Sequence, residues 1–572
     1  MPSILEGFIR LIGALGLFLY SITRFGDGIQ KIFGEKIRVI LERQSRQPFS
    51  NILNGVVMAA ALQSNFLTFG MISSLINAGL LGILPAILIM LGVNLGMTVT
   101  TQLMSLNIGV LLFILLFSGY LFYSYGKTRS WHHLGQILFN LGLMYLSFNM
   151  FHQSFQIIGI FPSAVQFIKT ILTSPWMGFL LGVSLAVLIR SSNTIVVLTQ
   201  GLVGLELAFS SEVFLSGAFA IVIGANVGTT IINMLIGMDR LPIVKKANWL
   251  HLTYNLSTGL IWLIFLPIAF VLVNSVSQYL REFFQIFVSS VFKWKFLINN
   301  YHSQWFYIWQ IAMAHTIFNF TVILIWFPAT YLAAKLGFPL LVEKGKINSA
   351  NSSTYLDRRA LQTPALALML ASHEIKQMAT ITLGMLRSSR LAFVKGQIHL
   401  LDNITRDENI VDDLQEQITF YLSALLSQNS LTESQSHRLA GLLHIVSDIE
   451  RVGDHGNNIA NLAEKKYQEQ LQFSELAINE IELMFGKAID VYQKASLAFS
   501  EDKPELAKQI LGREENIDKL EEELRQNHIH RLNQGKCWPS SGVVYVEMLS
   551  NLQRIAAHSA NIASAILEEG DK

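Results

Sequence analysis

The stretch VLIRSSNTIVVL, Val187 to Leu198, places one full positive charge and three small polar side chains inside an apolar run. Between Lys169 and Glu206, Arg190 is the sole Lys, Arg, Asp or Glu, so no sequence neighbour neutralises it. A guanidinium in such a setting either snorkels to an interface or faces a water-filled cavity, a partner or a ligand. Ser191, Ser192 and Asn193 add hydroxyl and amide groups beside it, and the guanidinium fork matches an oxyanion bidentately, which favours the ligand reading.

A second polar interruption repeats the first. ALQSNFLT, Ala61 to Thr68, lies about 127 residues upstream of it, and GVNLGMTVT from Gly92 is echoed by GANVGTTII from Gly224. Order and spacing are both kept. Ser and Asn compete with helix geometry by bonding nearby backbone, so QSN and RSSN inside apolar runs point to broken or re-entrant helices. Each of them could also serve as an interhelical hydrogen bond; the repetition of the pattern favours a site. Half-helix N-termini offer N–H groups and partial positive charge to an anion, and unwound carbonyls can hold Na+.

The elements that carry these residues are set by their solvent. The chain is 51% hydrophobic and only 14% charged, with mean hydropathy +0.42, far from the roughly 25% charged residues of an average soluble domain. From Pro48 to Gly126 there is no charged residue at all, which is room for several crossings of about 20 residues. From Leu361 the text turns to charged, helix-favouring sequence such as REENIDKLEEELRQ. The expected organisation is a membrane domain over residues 1–340, a linker over 341–360 and a soluble helical domain over 361–572.

Basic residues beside the apolar spans set orientation. Ile4 to Thr23 reads as a retained first helix, followed by a loop from Arg24 to Gln47 with Arg24, Lys31, Lys36, Arg38, Arg43 and Arg46. That loop is expected in the cytoplasm. The loop Phe151 to Thr173, with Lys169 alone, is expected outside. About seven crossings then put the C-terminal domain inside. Opposite charge bias beside equivalent motifs is the signature of an inverted-topology repeat, with copies at about 1–125 and 131–273 and an extra helix at 305–335.

These motifs, GANVGTT at Gly224 and the two stretches HLTYN at His251 and HTIFN at His315 resemble the type II sodium/phosphate cotransporter family over roughly residues 1 to 340. The resemblance implies two QSSSAT-like re-entrant hairpins that bind phosphate and sodium. It implicates Gln63, Ser64 and Thr68 in the first hairpin and Ser191 and Ser192 in the second; Asn65, Arg190 and Asn193 complete the expected substrate set. Asn94, Thr98, Asn226, Thr229 and Thr230 of the two G-x-N-x-G segments are the expected sodium ligands. The chain departs from the family at Asn65 and Phe66, where serines are usual, at Arg190, where a glutamine is usual, and at Met97, where the pattern has Thr. His251 and His315 are read as interhelical hydrogen-bonding groups outside the site.

The C-terminal part carries its own duplication. DIERVGDHGNNIA, Asp448 to Ala460, aligns with NLQRIAAHSANIA, Asn551 to Ala563, at a separation of 103 residues. Helices are expected at 364–400, 403–428, 433–467, 474–500, 504–534 and 540–569. This resembles the PhoU fold, two three-helix bundles, whose members bind metal clusters through acidic motifs and act in phosphate regulation. Acids four residues apart share a helix face and repel unless a cation lies between them. Glu408/Asp412, Glu450/Asp454 and Glu514/Asp518 are the candidates for a divalent or iron-type metal, against the alternative of a solvated surface. The second copy has Gln553 and Ala557 where the first has Glu450 and Asp454, which compromises one site.

The fold expected is therefore all-α: a polytopic membrane domain built from an inverted-topology repeat with two re-entrant hairpins, plus a soluble domain of two three-helix bundles. No P-loop, C-x-x-C or H-E-x-x-H is present, so no enzyme is expected. The one cysteine, Cys537, excludes an internal disulfide framework. Scattered basic residues without an aromatic stripe argue against nucleic acid. The expected function is secondary transport of inorganic phosphate coupled to Na+, in a bacterial inner membrane with the C-terminal domain cytoplasmic. A phosphate exporter and a membrane-anchored phosphate sensor are the alternatives. The C-terminal domain is expected to regulate, through a homo-oligomer or phosphate-signalling proteins.

Overall fold

The computed structural model describes residues 3–42, 47–203, 212–238, 242–291, 303–338, 356–428 and 431–570. Every long element among them is an α-helix. The chain divides into two compact units, Met1–Ser352 and Ser353–Lys572.

The first unit runs α1 (Ile4–Glu42), α2 (Pro48–Leu62), α3 (Asn65–Asn77), α4 (Ile83–Met104), α5 (Leu111–Tyr125) and α6 (Arg129–Ile158). It continues through α7 (Pro162–Thr173), α8 (Pro175–Ile189), α9 (Ser192–Val203), α10 (Glu212–Ile236), α11 (Pro242–Ile264), α12 (Leu266–Val291) and α13 (Ser303–Lys335). Among the described residues, five helices are long and apolar enough to cross a membrane, or up to seven when two sharply bent pairs, α7 with α8 and α11 with α12, each count once.

Two expectations about loops are corrected. Arg24 to Glu42 continues α1 as helix; Phe25, Ile29, Ile32 and Phe33 keep the three-and-four spacing of one apolar face, with Lys31 between them. Arg43 to Arg46 lie outside the described residues. Phe151 to Thr173 is likewise helical, in α6 and α7, apart from a short turn.

The duplication is written in backbone contacts. α2 lies along α4 so closely that a Cβ on Gly92 would run into the carbonyl of Ile52, one on Gly96 into that of Val56, and one on Gly55 into that of Ile89. In the second copy α8 lies along α10, and the equivalent collisions are Gly224 with Phe179, Gly228 with Val183 and Gly182 with Ile221. Small residues are what let membrane helices approach to this degree. The same glycine pattern thus fixes the same helix pair twice.

The second unit opens with a 3-10 turn at Arg358–Gln362, so it starts ahead of residue 361. It contains α14 (Pro364–Lys395), α15 (Leu401–Leu426), α16 (Glu433–Gln468), α17 (Glu475–Glu501), α18 (Pro504–Asn533) and α19 (Pro539–Gly570). One continuous apolar core, including Phe393, Tyr421, Phe485, Tyr492 and Tyr545, runs through all six helices. Thr432 and Gln435 close a capping box at the start of α16.

Candidate substrate site and acidic cluster

Each polar tripeptide breaks a helix in the same way. Gln63 ends α2 in the left-handed region (φ 51°, ψ 21°) and Arg190 ends α8 there too (φ 60°, ψ 28°). That conformation costs an L-residue about 1–2 kcal/mol, so the tips are held by what surrounds them. Ser64 then caps α3, its Oγ accepting from Leu67 N at 3.3 Å. Ser191 does the same for α9, accepting from Thr194 N at 3.3 Å and from the Thr194 hydroxyl at 2.9 Å.

The two tips meet. Asn65, the first residue of α3, donates from Nδ2 to Ser192 Oγ, the first residue of α9, at 3.0 Å. Two helix N-termini, whose first-turn N–H groups have no intrahelical acceptor, are thereby brought together. An anion between them would meet N–H donors and two positive helix ends.

The tips differ in their anchoring. Gln63 is buried; its Oε1 accepts from Thr100 of α4 and its Nε2 donates to Ala60 O at 2.7 Å. Arg190 is exposed, and no hydrogen bond or ion pair to its guanidinium occurs among the described residues. Thr68 is buried and turns its hydroxyl back to Ser64 O at 2.7 Å. Asn193 is buried, 3.7 Å from Met97 Sδ through its Nδ2, while its Oδ1 has no hydrogen-bond partner among the described residues.

The expected sodium ligands stand on α4 and α10. Asn94 Nδ2 lies 3.1 Å from His251 Nε2 and donates to Asn255 Oδ1 at 3.0 Å. Asn226 Oδ1 lies 3.3 Å from His315 Nε2 and accepts from Asn319 Nδ2 at 3.3 Å. Each H-x-x-x-N stretch therefore uses one helix face to grip the asparagine of one G-x-N-x-G segment. His315 also lies 3.1 Å from the Thr101 hydroxyl. These are interhelical bonds, as the sequence suggests, but they fall on the expected ligands. His251, Asn255, His315 and Asn319 belong to the site's frame, and the repetition of the H-x-x-x-N pattern was the signal for it. Thr98, Thr229 and Thr230 donate to carbonyls of their own helices at 2.7–2.8 Å, which leaves hydroxyl lone pairs for other partners.

In the second unit Glu408 and Asp412 of α15 and Asp454 of α16 bring carboxylate oxygens within 4.8 Å of one another. Burial first, then the neighbouring carboxylates, pushes the pKa of Glu408, Asp412 and Glu450 above the ordinary value. Such crowded carboxylates suit a hard, oxygen-seeking cation. The second copy does not repeat the cluster: Gln553, standing where Glu450 does, donates to Asp518 Oδ1 at 2.9 Å. The Glu514 side chain lies outside the described residues. Between the copies, His558 Nδ1 meets Asp448 Oδ1 at 2.8 Å and His455 Nδ1 meets Asn551 Oδ1 at 2.9 Å, with the two imidazoles stacked at 5.7 Å.

The membrane-spanning helices and duplicated broken-helix site define a polytopic membrane protein joined to a helical bundle domain. Its family follows from comparison. The Na+/Pi-cotransporter family model matches residues 17–153 and 160–291, and the PhoU domain model matches residues 375–463 and 481–566. The chain thus joins a membrane domain of the Na+/Pi-cotransporter family to a C-terminal PhoU domain. It is 21% identical over 574 residues to "Putative inorganic phosphate export protein YjbB" of Salmonella typhimurium, covering 99% of this chain and 98% of that one. The PhoU homolog 1 of Thermotoga maritima is 24% identical over 168 residues, 29% of this chain and 72% of the relative. PhoU of Pseudomonas aeruginosa aligns in structure at 17% identity with a TM-score of 0.34, over 36% of this chain and 96% of its own.

Proposed function

We propose that this protein is a secondary transporter that moves inorganic phosphate across a bacterial inner membrane, coupled to Na+, under control of its cytoplasmic PhoU domain. The observation that carries this reading is the meeting of two helix N-termini at the Asn65–Ser192 contact, 3.0 Å apart. Backbone N–H groups of both first turns, with Ser64, Asn65, Ser191, Ser192 and Asn193, receive the phosphate oxygens, and Arg190 closes on them. Gln63 and Thr68 hold the first tip in shape. Na+ is held by oxygens of Asn94, Thr98, Asn226, Thr229 and Thr230, with the histidines fixing the two asparagines. The two copies run in opposite directions through the membrane, so that one shared site is reached from either side. The carboxylates of Glu408, Asp412, Glu450 and Asp454 hold a divalent cation in the PhoU domain, and that domain reports to phosphate-signalling partners or a second copy.

A second reading, net outward transport, is favoured by the end-to-end similarity to the relative named for phosphate export. Flux of labelled phosphate in proteoliposomes, with Na+ gradients imposed in each direction, tests both. Phosphate movement driven by a Na+ gradient is expected, and an inert protein under every gradient would leave a sensor.

A further inference from the structure

We infer that Arg190, together with Met97, takes the place of one coupling cation at the second tip, so that fewer Na+ ions cross with each phosphate than a symmetric pair of tips would need. This rests on the proposed phosphate site at the meeting of α3 and α9.

The two copies provide an internal control. Gln63 and Arg190 occupy the same backbone niche, each in the left-handed region at the end of its helix. Gln63 is neutral, buried and tied to Thr100. The residue of α10 that corresponds to Thr100 is Ile232, which has no hydroxyl to offer. The second tip therefore leaves its long side chain untethered, and that side chain is a cation. Arg190 directly precedes Ser191 and Ser192 in the chain, at the tip that touches Asn65.

The same tip has lost an oxygen. In G-x-N-x-G-x the final position is Thr229 on α10 and Met97 on α4. Met97 reaches the second tip, its Sδ 3.7 Å from Asn193 Nδ2, and Asn193 Oδ1 is buried without a hydrogen-bond partner among the described residues. A thioether is a soft, weak donor and a poor substitute for a hydroxyl toward a hard cation. A guanidinium carried on the same tip also repels Na+. The second tip thus pairs a thioether with a positive charge, whereas the first tip carries a neutral Gln63, and Thr229 keeps its hydroxyl on α10. Phosphate arriving between them finds compensation from a charge that stays on the protein. A transporter carrying fewer cations per phosphate draws less inward drive from the Na+ gradient, which brings outward flux within reach.

The test uses the full chain in proteoliposomes, with labelled phosphate as the probe at varied Na+. Arg190→Gln combined with Met97→Thr is expected to raise the Hill coefficient for Na+ by about one relative to the parent. Arg190→Lys keeps the charge and loses the fork, so it is expected to keep the parent's Na+ dependence while the KM for phosphate rises by about tenfold. Met97→Thr alone covers the case in which the double variant does not fold, and is expected to strengthen Na+ dependence in part. An unchanged Na+ dependence in a double variant that still moves phosphate overturns the inference, as does Arg190→Lys behaving like Arg190→Gln. A parent that moves no phosphate under any gradient overturns the proposed function itself, and the inference with it.

Discussion

The two duplications in this chain, one per unit, have kept different things. In the membrane unit the copies agree where backbone touches backbone: Gly92 on Ile52 and Gly224 on Phe179, Gly96 on Val56 and Gly228 on Val183. They part at the tips, Gln63 against Arg190 and Thr229 against Met97. In the soluble unit the copies agree in their apolar core and in a reciprocal pair of histidines, and they part in their acids. A glycine against a carbonyl admits no side chain, so that contact cannot drift. A ligand position tolerates change once its twin still works, so the copies specialise there.

The largest effect is expected where drift is least allowed. Gly92→Ala and Gly224→Ala should each cost about 3 kcal/mol or more, since a methyl forced against a neighbouring backbone can be relieved only by moving a helix. Thermal unfolding of the detergent-purified protein checks this. Gly13→Ala and Gly16→Ala in α1, where nothing lies within 4 Å of an added Cβ, should be nearly silent. Equal losses at all four positions would mean that the glycine pattern marks general helix flexibility, not the twin helix pair.

How much of this was legible in the sequence also differs between the units. Most soluble helices read almost to the residue, 433–467 against Glu433–Gln468 and 504–534 against Pro504–Asn533, because charged faces and Pro or Thr starts punctuate them; the expected 364–400 overran α14, which ends at Lys395 before Gly396 in the left-handed region (φ 68°). The membrane helices lack that contrast: a helix apolar all round has no period to show, and basic residues on α1 disguised a helical extension as a loop. The meeting of the tips could be read from the repeated polar tripeptides. The Gln63–Thr100 tie and the grip of His251 on Asn94, 157 residues apart, could not, because nothing in a single sequence states which buried polar groups face each other.

An intermediate effect is expected from the acids that the soluble copies no longer share. Residues 353–572 form a compact unit with its own core, and a divalent cation bound there at a hundredfold over its Kd should stabilise it by about 2.7 kcal/mol. Glu408→Gln with Asp454→Asn should remove the gain, read as a shift in Tm. The sign with pH follows from the raised pKa of Glu408, Asp412 and Glu450. Without metal, their contribution to stability is present at acid pH and is lost as pH rises from about 4 toward neutrality, when the carboxylates ionise against one another. The metal's benefit should therefore grow over that interval. A domain whose Tm ignores both metal and these two substitutions would make the cluster a solvated surface.

The smallest effect would sharpen the comparison inside the reciprocal histidine pair. His558 faces the carboxylate of Asp448, whereas His455 faces the amide of Asn551. Burial, which dominates over the Asn551 hydrogen bond, holds the His455 pKa below the ordinary histidine value. Asn551→Asp would give His455 the partner that His558 already has, and a carboxylate at 2.9 Å favours the imidazolium. The His455 pKa, followed by NMR, should rise toward or above the ordinary value of about 6.5. Half-burial and solvent screening keep the gain in stability below about 1 kcal/mol. With the folded pKa raised relative to the parent's, that gain should be present at acid pH and fade as pH rises through the new His455 value. A His455 titration that does not move would mean that the two copies differ in more than the identity of residue 551, and that their twofold pairing stops at the apolar core.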